Sequence, residues 1–406
     1  MVLKPEKYPL DQSKSFGSGN CSCDGQLRVE IFRSVSSLES IKLQWNRLIL
    51  DTEQVFPMAT FAWVVSYFEH MLNRDESWLV IAVCDNDELV GLLPVIHKVS
   101  NYGIAKYTEI KTPYDDHVDF VISPGREEEI IPLLLRGLVD EFPGSFALVM
   151  TRIPEYSPTL RIVDKCPARF YRYIDFAGKG SYLPIDGKFE DIRSGISSNF
   201  RKNLNKARRK LETMPNFAFE FLEGEQASYQ HVERLIEVEG SGWKGREGTA
   251  IQKSKSLISF YTMVAKRLHE AGWLEWQFLK AGDKTIAGQL SIRIGKVLTV
   301  YKIGYDEAYS EVSPGSLLFE ATARHACDSG DIETINCLTD MSWHRRWRMP
   351  QWSYYNLTIW PRRPLAMIFG VALTYAKDAM RRIPVLRRTL RSVKSAVNGM
   401  SDSDSK

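Results

Sequence analysis

The stretch Val297-Leu298-Thr299-Val300-Tyr301-Lys302-Ile303-Gly304-Tyr305-Asp306, continuing through Val312 into Ser313-Pro314-Gly315-Ser316-Leu317-Leu318-Phe319-Glu320, says most about the fold. Its first part is rich in β-branched and aromatic residues and reads as a strand ending at Asp306. A loop follows, and then a helix opens. Ser313 or Ser316 can cap it, Pro314 suits its first turn, and Gly315 allows close approach to the backbone. Unpaired N–H groups and the helix dipole make this helix start, with Ser313, Gly315 and Ser316, a candidate anion site, of a kind suited to a pyrophosphate. A capped helix with no ligand would have the same sequence.

Working outward, Trp273–Lys280 and Ile286–Ile292 flank an Ala-Gly-Asp-Lys turn and predict a hairpin. Ile332–Leu338 and Tyr354–Trp360 read as further strands, and Leu317–Cys327 as a helix. The first half has the same plan. Strand Leu27–Ile31 and helices over Leu38–Leu50 and Phe61–Met71 precede a hairpin, Trp78–Cys84 and Leu89–Val95 around Asp85-Asn86-Asp87. Strand Val118–Ile122, helix Glu127–Glu141 and strand Phe146–Thr151 follow. Leu89-Val90-Gly91 and Ile286-Ala287-Gly288 match in kind, glycine for glycine. The repetition predicts a duplicated domain, and the mixed order predicts an α/β (α+β) protein whose domains are each a mixed sheet flanked by helices. The expected division is a flexible leader at 1–26, a first lobe at 27–175, a second at 176–360 and a basic amphipathic tail at 361–406.

With 406 residues, two domains are the natural prior. The net charge of +3 averages a mixed body and two basic segments. The cysteines, Cys21, Cys23, Cys84, Cys166, Cys327 and Cys337, lack a second Cys or His pair at zinc spacing, so no metal is expected and free thiols are. No stretch approaches the ~20 apolar residues of a spanning helix. The expectation is a cytoplasmic protein, with membrane contact at most peripheral, at the inner face.

One basic segment is a helix in which Ile196, Phe200, Leu204, Ala207 and Leu211 form an apolar face. Arg201, Lys202, Lys206, Arg208, Arg209 and Lys210 crowd the remainder. They form either a solvated face or a surface for a phosphate-bearing acceptor, a carrier protein or RNA. Nucleic acid is the least expected, because no recognised binding module accompanies the charge. The other is the tail, whose arginines after Leu365–Tyr375 suit an anionic membrane surface. In the first lobe, Glu127-Glu128-Glu129 would repel phosphates from a helix start. One such anion site, in the second lobe, is therefore expected. The segment Tyr114-Asp115-Asp116-His117-Val118-Asp119 is a candidate lining of a substrate site, with Asp116 foremost, or a turn-forming acidic cluster.

The run Tyr305-Asp306-Glu307-Ala308-Tyr309, Ser313-Pro314-Gly315, and Trp343-His344-Arg345-Arg346-Trp347 resembles the GNAT superfamily, in its cellulose-biosynthesis acetyltransferase-like group. The group is distantly similar to the FemABX-like aminoacyltransferases, which also pair two GNAT folds. Gly242-Trp243-Lys244-Gly245 resembles the group's GWKG-type segment, and residues 198–210 resemble its basic helix. The likeness is good over 190–360 and vaguer over 27–170. Trp343-His344 stands where relatives often read Tyr-Lys, so no lysine role carries over there.

The resemblance implies two tandem GNAT-like domains and an N-acyltransferase acting on an amine. It places the donor thioester between Val297–Tyr305 and Ile332–Leu338, with the coenzyme A phosphates on amides around Val312–Ser316. No tightly bound cofactor is implied; acyl-CoA, or an acyl carrier protein, is the donor substrate. Direct attack needs a base for the amine, an oxyanion donor and an acid for the thiolate. Glu239 could be base or surface residue, Asp306 base or loop anchor. His344 could titrate or pack, and Tyr305 could protonate the thiolate or fill the core. Arg201, Lys202, Trp243 and Lys244 are expected to bind substrate. Cell-envelope or exopolysaccharide metabolism is the expected setting. The rivals are an aminoacyl-tRNA-dependent FemABX-like ligase and a non-catalytic GNAT scaffold that binds a donor or a polysaccharide-synthesis partner.

Overall fold

The computed structural model describes residues 27–52, 56–102, 105–113, 117–163, 170–241 and 251–363, together with Ala366 and Gly370. The expected leader, most of the tail, Asp116, Trp243 and Lys244 lie outside the described residues.

In chain order the first lobe comprises β1 (Leu27–Phe32), α1 (Val35–Glu39), α2 (Lys42–Asp51), α3 (Phe61–His70), β2 (Ser77–Asp85), β3 (Glu88–Tyr102), β4 (Ala105–Lys111), β5 (Val121–Ile122), α4 (Glu127–Glu141), β6 (Ser145–Pro154), α5 (Pro158–Ile162) and β7 (Phe170–Pro184). The second lobe continues with α6 (Phe189–Gly195), α7 (Ser198–Glu212), β8 (Ala218–Leu222), α8 (Val232–Gly240), α9 (Lys255–Glu270), β9 (Leu274–Ala281), β10 (Lys284–Ile294), β11 (Val297–Tyr305), α10 (Pro314–Ser329), β12 (Thr334–Asn336) and β13 (Gln351–Pro361). The result is a mixed α/β fold with one large mixed sheet flanked by helices.

The strands run in the order β1-β2-β3-β4-β6-β13-β7-β12-β11-β10-β9-β8, with β5 attached to β3. Read from either edge the pattern is the same: four antiparallel strands, then a parallel neighbour. β4 runs parallel to β6 from Tyr107↔Ser145, and β11 runs parallel to β12 from Val297↔Thr334. The final strand of each lobe is exchanged. β13 pairs with β6 of the first lobe, β7 pairs with β12 of the second, and β7 and β13 join antiparallel from Gln351↔Ser181 to Pro361↔Phe170. The expected boundary at 175/176 falls inside β7, which serves both lobes.

Two expected strands are shorter than read. Within 118–122 only Val121–Ile122 pairs, because the Asp119 carboxylate accepts the Phe120 N–H and competes with a ladder. Within 332–338 only Thr334–Asn336 is strand, since Asn336 Oδ1 accepts the Leu338 N–H at 2.9 Å and turns the chain.

Three large buried clusters fill the layers, with a small fourth at Ala147, Trp360 and Ala366. One lies under α4 in the first lobe, and one lies under α7 and α10 in the second. The largest is shared, joining Trp45, Trp63 and Val80 to Leu235, Phe260 and Trp276. At its centre Trp63 of α3 meets Phe260 of α9 at 5.6 Å and Tyr301 of β11 at 4.5 Å, both edge-on. Burying such aromatic surface couples the two lobes into one core.

Candidate active site

The parallel pair at the middle of the second lobe comes apart. β11 pairs with β12 only from Val297↔Thr334 to Thr299↔Asn336. β10 follows β11 to Tyr305, with Tyr301 bulged out between Val300 and Lys302. β12 leans the other way: Cys337 N–H donates to Ser181 O at 3.0 Å, and Ser181 N–H donates to Thr339 O at 3.1 Å. Leu338 takes the left-handed conformation with φ 58°. Beyond Thr299, the edge of β11 that faced β12 has no strand partner among the described residues. A wedge with unpaired backbone groups can take an extended ligand as a surrogate strand.

Asp306 ends β11 and stays buried, its Oδ1 accepting Ala308 N–H at 3.0 Å and its Oδ2 lying 3.3 Å from Lys284 Nζ. It anchors the loop into α10. Ser313 occupies the N-cap position with φ 46°, and its side chain makes no capping bond. Of the two serines that the sequence offered as caps, Ser313 takes the position without a side-chain bond. The amides of Ser313, Ser316 and Leu317 donate to backbone carbonyls. Pro314 has no N–H, and Gly315's makes no internal hydrogen bond among the described residues. Val312 is buried in the core. A Cβ on Gly315 would lie 3.4 Å from Tyr305 Cδ1, so Tyr305, 40% exposed, flanks the helix start. At ~3.3 Å per residue, Tyr305 stands ~13 Å beyond the bulge at Tyr301. It sits at the mouth of the wedge, away from its apex.

On the opposite face of β11 lies Glu239, in the last turn of α8. Its Oε1 is 2.8 Å from Lys302 Nζ, and its Oε2 accepts the Ile251 N–H at 3.1 Å. Its Cα passes so near β11 that a Cβ on Gly304 would be 3.3 Å from it. Lys302 Nζ also lies 4.9 Å from the Tyr261 ring, and the Tyr261 and Tyr301 hydroxyls are 3.2 Å apart. The reading of the sequence missed both tyrosines and Lys302; the Tyr301-Lys302 pair breaks strand alternation, which was the available signal.

His344 is drawn into the fold. It is 2% exposed, its Nδ1 accepts the Met341 N–H at 3.1 Å, and it has a backbone hydrogen bond with Thr339. Burial lowers its pKa to about 4. With both nitrogens engaged it holds the turn after β12, the packing role that the sequence offered beside titration. Arg201 likewise donates to the carbonyls of Arg193 and Ser194, at 3.1 and 2.8 Å, ending α6. Lys202 stays on the surface. Burial raises Cys327 to about 11 and Cys337 to about 12, so neither thiol is a nucleophile at neutral pH.

The first lobe meets this region through His117, which stacks against Phe56 at 5.5 Å and meets Tyr354 of β13 edge-on at 4.6 Å. It also contacts the Leu338 backbone, just past β12, and burial depresses its pKa to about 3. Asp119, two residues on, accepts from Ser157 and Thr159 hydroxyls, both at 2.6 Å, while burial raises it to about 6.

The mixed sheet thus splits at its central parallel pair, beside the start of α10. Residues 198–345 match the family model of the acetyltransferase (GNAT) domain, and that segment holds β11, β12, the bulge and the opening of α10. Among solved structures the chain is similar to FemX, at 10% identity over 81% of this chain and 96% of that one, with a TM-score of 0.55. It is also similar to a conserved protein of unknown function from Bacteroides thetaiotaomicron, at 12% identity over 79% and 96%, with a TM-score of 0.52. At these identities the likeness is one of fold. No curated protein matches the chain. No helix among the described residues is long and apolar enough to cross a membrane.

Proposed function

We propose that this protein is an N-acyltransferase that moves an acyl group from a coenzyme A thioester, or the same thioester on a carrier, to an amine. The observation that carries the proposal is the wedge between β11 and β12 inside the segment that matches a GNAT domain, with the start of α10 at its mouth. The donor arm lies along the unpaired edge of β11, its phosphates at Gly315 and its thioester near Tyr301. The amine attacks the thioester carbonyl, the C–S bond breaks, the thiolate takes a proton and the amine loses one.

Tyr301 and Tyr261 are better placed than Tyr305 to supply the thiolate's proton, because they stand at the apex. Glu239 serves as a staple in this reading, with Lys302 and the Ile251 amide as its partners. The acceptor enters from the face shared with the first lobe, where His117 and Tyr354 border the end of β12. An envelope or exopolysaccharide amine is the acceptor class in view.

Thermal-shift titration with coenzyme A, acetyl-CoA and longer acyl-CoAs tests the donor site. A ligand at 100 times its Kd contributes roughly 2.7 kcal/mol, a visible rise in Tm. Thiol release dependent on an added amine tests the chemistry. Turnover that requires aminoacyl-tRNA would shift the reading to a FemABX-like ligase. Donor binding without thiol release would shift it to a scaffold.

A further inference from the structure

Helix α7 sorts its cations into two sets. Arg208 pairs with the buried Glu320 of α10 at 3.0 Å and lies 5.3 Å from the Phe219 ring. Lys210 pairs with Glu311 in the turn before α10, and Arg201 caps α6. Lys202, Lys206 and Arg209 have no hydrogen bond, ion pair or ring contact among the described residues, and all are exposed. At 3.6 residues per turn these lie within a ~60° arc, ~10 Å long, and directly opposite the buried Phe200, Leu204, Ala207 and Leu211. The paired cations occupy the flanks between the two faces.

The fold itself gains nothing from this row. Lys202 and Lys206 are like charges at i,i+4, which disfavours the helix by roughly 0.2–0.5 kcal/mol. No acidic residue interrupts α7 before Glu212, although an ordinary solvated face intersperses both signs. The helix that carries the row borders the donor mouth. α7 packs across the start of α10 from the Glu311 contact to Trp347, which touches Phe200 at 5.4 Å and Phe319 at 5.2 Å. Arg346, over the Phe200 ring at 5.9 Å, and the exposed Arg348 extend the positive surface there.

We infer that Lys202, Lys206 and Arg209 dock an acidic acyl carrier protein, which delivers the donor thioester into the β11/β12 wedge on a tethered arm. The inference rests on the acyltransferase reading and specifies its donor. A convex helix face has no walls to enclose a nucleotide, so it suits a macromolecular partner better than free coenzyme A. Three cations at i, i+4 and i+7 match acids at the same spacing on a partner helix. No aromatic side chain stands on the row to stack an unpaired base, which disfavours single-stranded RNA. Electrostatic complementarity of this kind speeds encounter and fixes orientation.

The test uses the full chain and a purified acidic acyl carrier protein, in its holo form and as acetyl and longer acyl thioesters. Holo-carrier binding is followed by fluorescence anisotropy, and transfer by thiol release, against the matching acyl-CoAs. The variants are Lys206→Glu/Arg209→Glu and the neutral Lys206→Gln/Arg209→Gln, each checked for an unchanged Tm. Charge reversal should weaken carrier binding more than tenfold and lower kcat/KM for acyl-carrier to match, with acyl-CoA turnover within twofold. The neutral variant should fall between. Equal use of carrier and coenzyme A by wild type and variants would overturn the proposal, and so would equal loss of both. Carrier binding displaced by structured RNA at lower concentration than by free carrier would also overturn it, in favour of a nucleic-acid partner. Charge-dependent carrier binding without transfer from any thioester would leave the docking surface standing and refute the acyltransferase reading. Acyl-CoA turnover without carrier binding would do the reverse.

Discussion

The buried Glu239 and the half-buried Lys302 form an ion pair, Oε1 to Nζ 2.8 Å, that joins the last turn of α8 to β11 just past the bulge at Tyr301. The second carboxylate oxygen holds the Ile251 amide, so one side chain fixes both α8 and the turn leading to α9 against the split strand. Removing Glu239 leaves the half-buried Lys302 ammonium uncompensated and the Ile251 amide without its acceptor, which costs at most about 3–5 kcal/mol. Glu239→Ala should lose stability on that scale in urea denaturation. Glu239→Gln retains an acceptor for Ile251 and should keep thiol-release activity within about tenfold of wild type. A loss of 10²-fold or more with the fold intact would make Glu239 the general base instead. Lys302→Met combined with Glu239→Gln should cost less than the sum of the two, because the pair acts as a unit.

Gly315 offers the least ambiguous probe of the proposed phosphate site at the start of α10. A methyl there only touches Tyr305 Cδ1 at 3.4 Å and Ile303 Cδ1 at 3.7 Å, so the fold accepts alanine. Gly315→Glu puts a negative charge where the phosphates are proposed to sit. Its Tm should stay within a few degrees of wild type while acetyl-CoA affinity falls more than tenfold. Unchanged affinity would move the phosphate site elsewhere.

Glu275, on β9, sits beneath the far end of α10, where burial and the neighbouring Glu223 and Asp331 raise its pKa to about 7 against the opposing pull of Arg293. Its folded-state pKa exceeds the unfolded value, so the protonated form is favoured by the fold. That contribution is complete below the unfolded pKa, near 4.5, and is lost as pH rises through about 7. Urea midpoints should therefore decline across this window. Glu275→Gln keeps an acceptor for Gln277 Nε2, which now donates to Oε2 at 3.3 Å, and should flatten the decline. An identical pH profile in the variant would remove Glu275 as its source.

Trp63 couples the lobes through Phe260 and Tyr301. Trp63→Ala should destabilise the protein by about 3–5 kcal/mol. Because β7 and β13 belong to both halves, unfolding should remain one transition in calorimetry for wild type. Two well-separated transitions in wild type would contradict the shared core.

The sequence disclosed the local elements with good fidelity where alternation or helical periodicity was strong. Val297–Tyr305 and Glu127–Glu141 have the bounds that were read, and the two hairpins fold as expected. It concealed β7. Phe170–Pro184 mixes Arg, Asp and Lys with its aromatics and carries Gly178 and Gly180, so it lacks the marks of a central strand. Its place comes from pairing with β13, more than 160 residues away in the chain. The candidate site divides the same way. The helix start at Ser313–Ser316 was visible, because caps and turns are local chemistry. The commitments of Glu239, His344 and Arg201 were not, since a side chain's partner is set by elements far off in the chain.

What the sequence determined by itself is the repeated strand–helix plan, the strand and helix around the split, and the basic character of α7. These follow from periodicity, propensity and charge, which are properties of neighbouring residues. Only the tertiary structure decided that the lobes exchange their last strands, that the parallel pair opens past Thr299, and which cations of α7 are spent internally. Those outcomes depend on long-range pairing and on burial, where a carboxylate such as Glu320 takes Arg193 and Arg208 and leaves Lys202, Lys206 and Arg209 facing water.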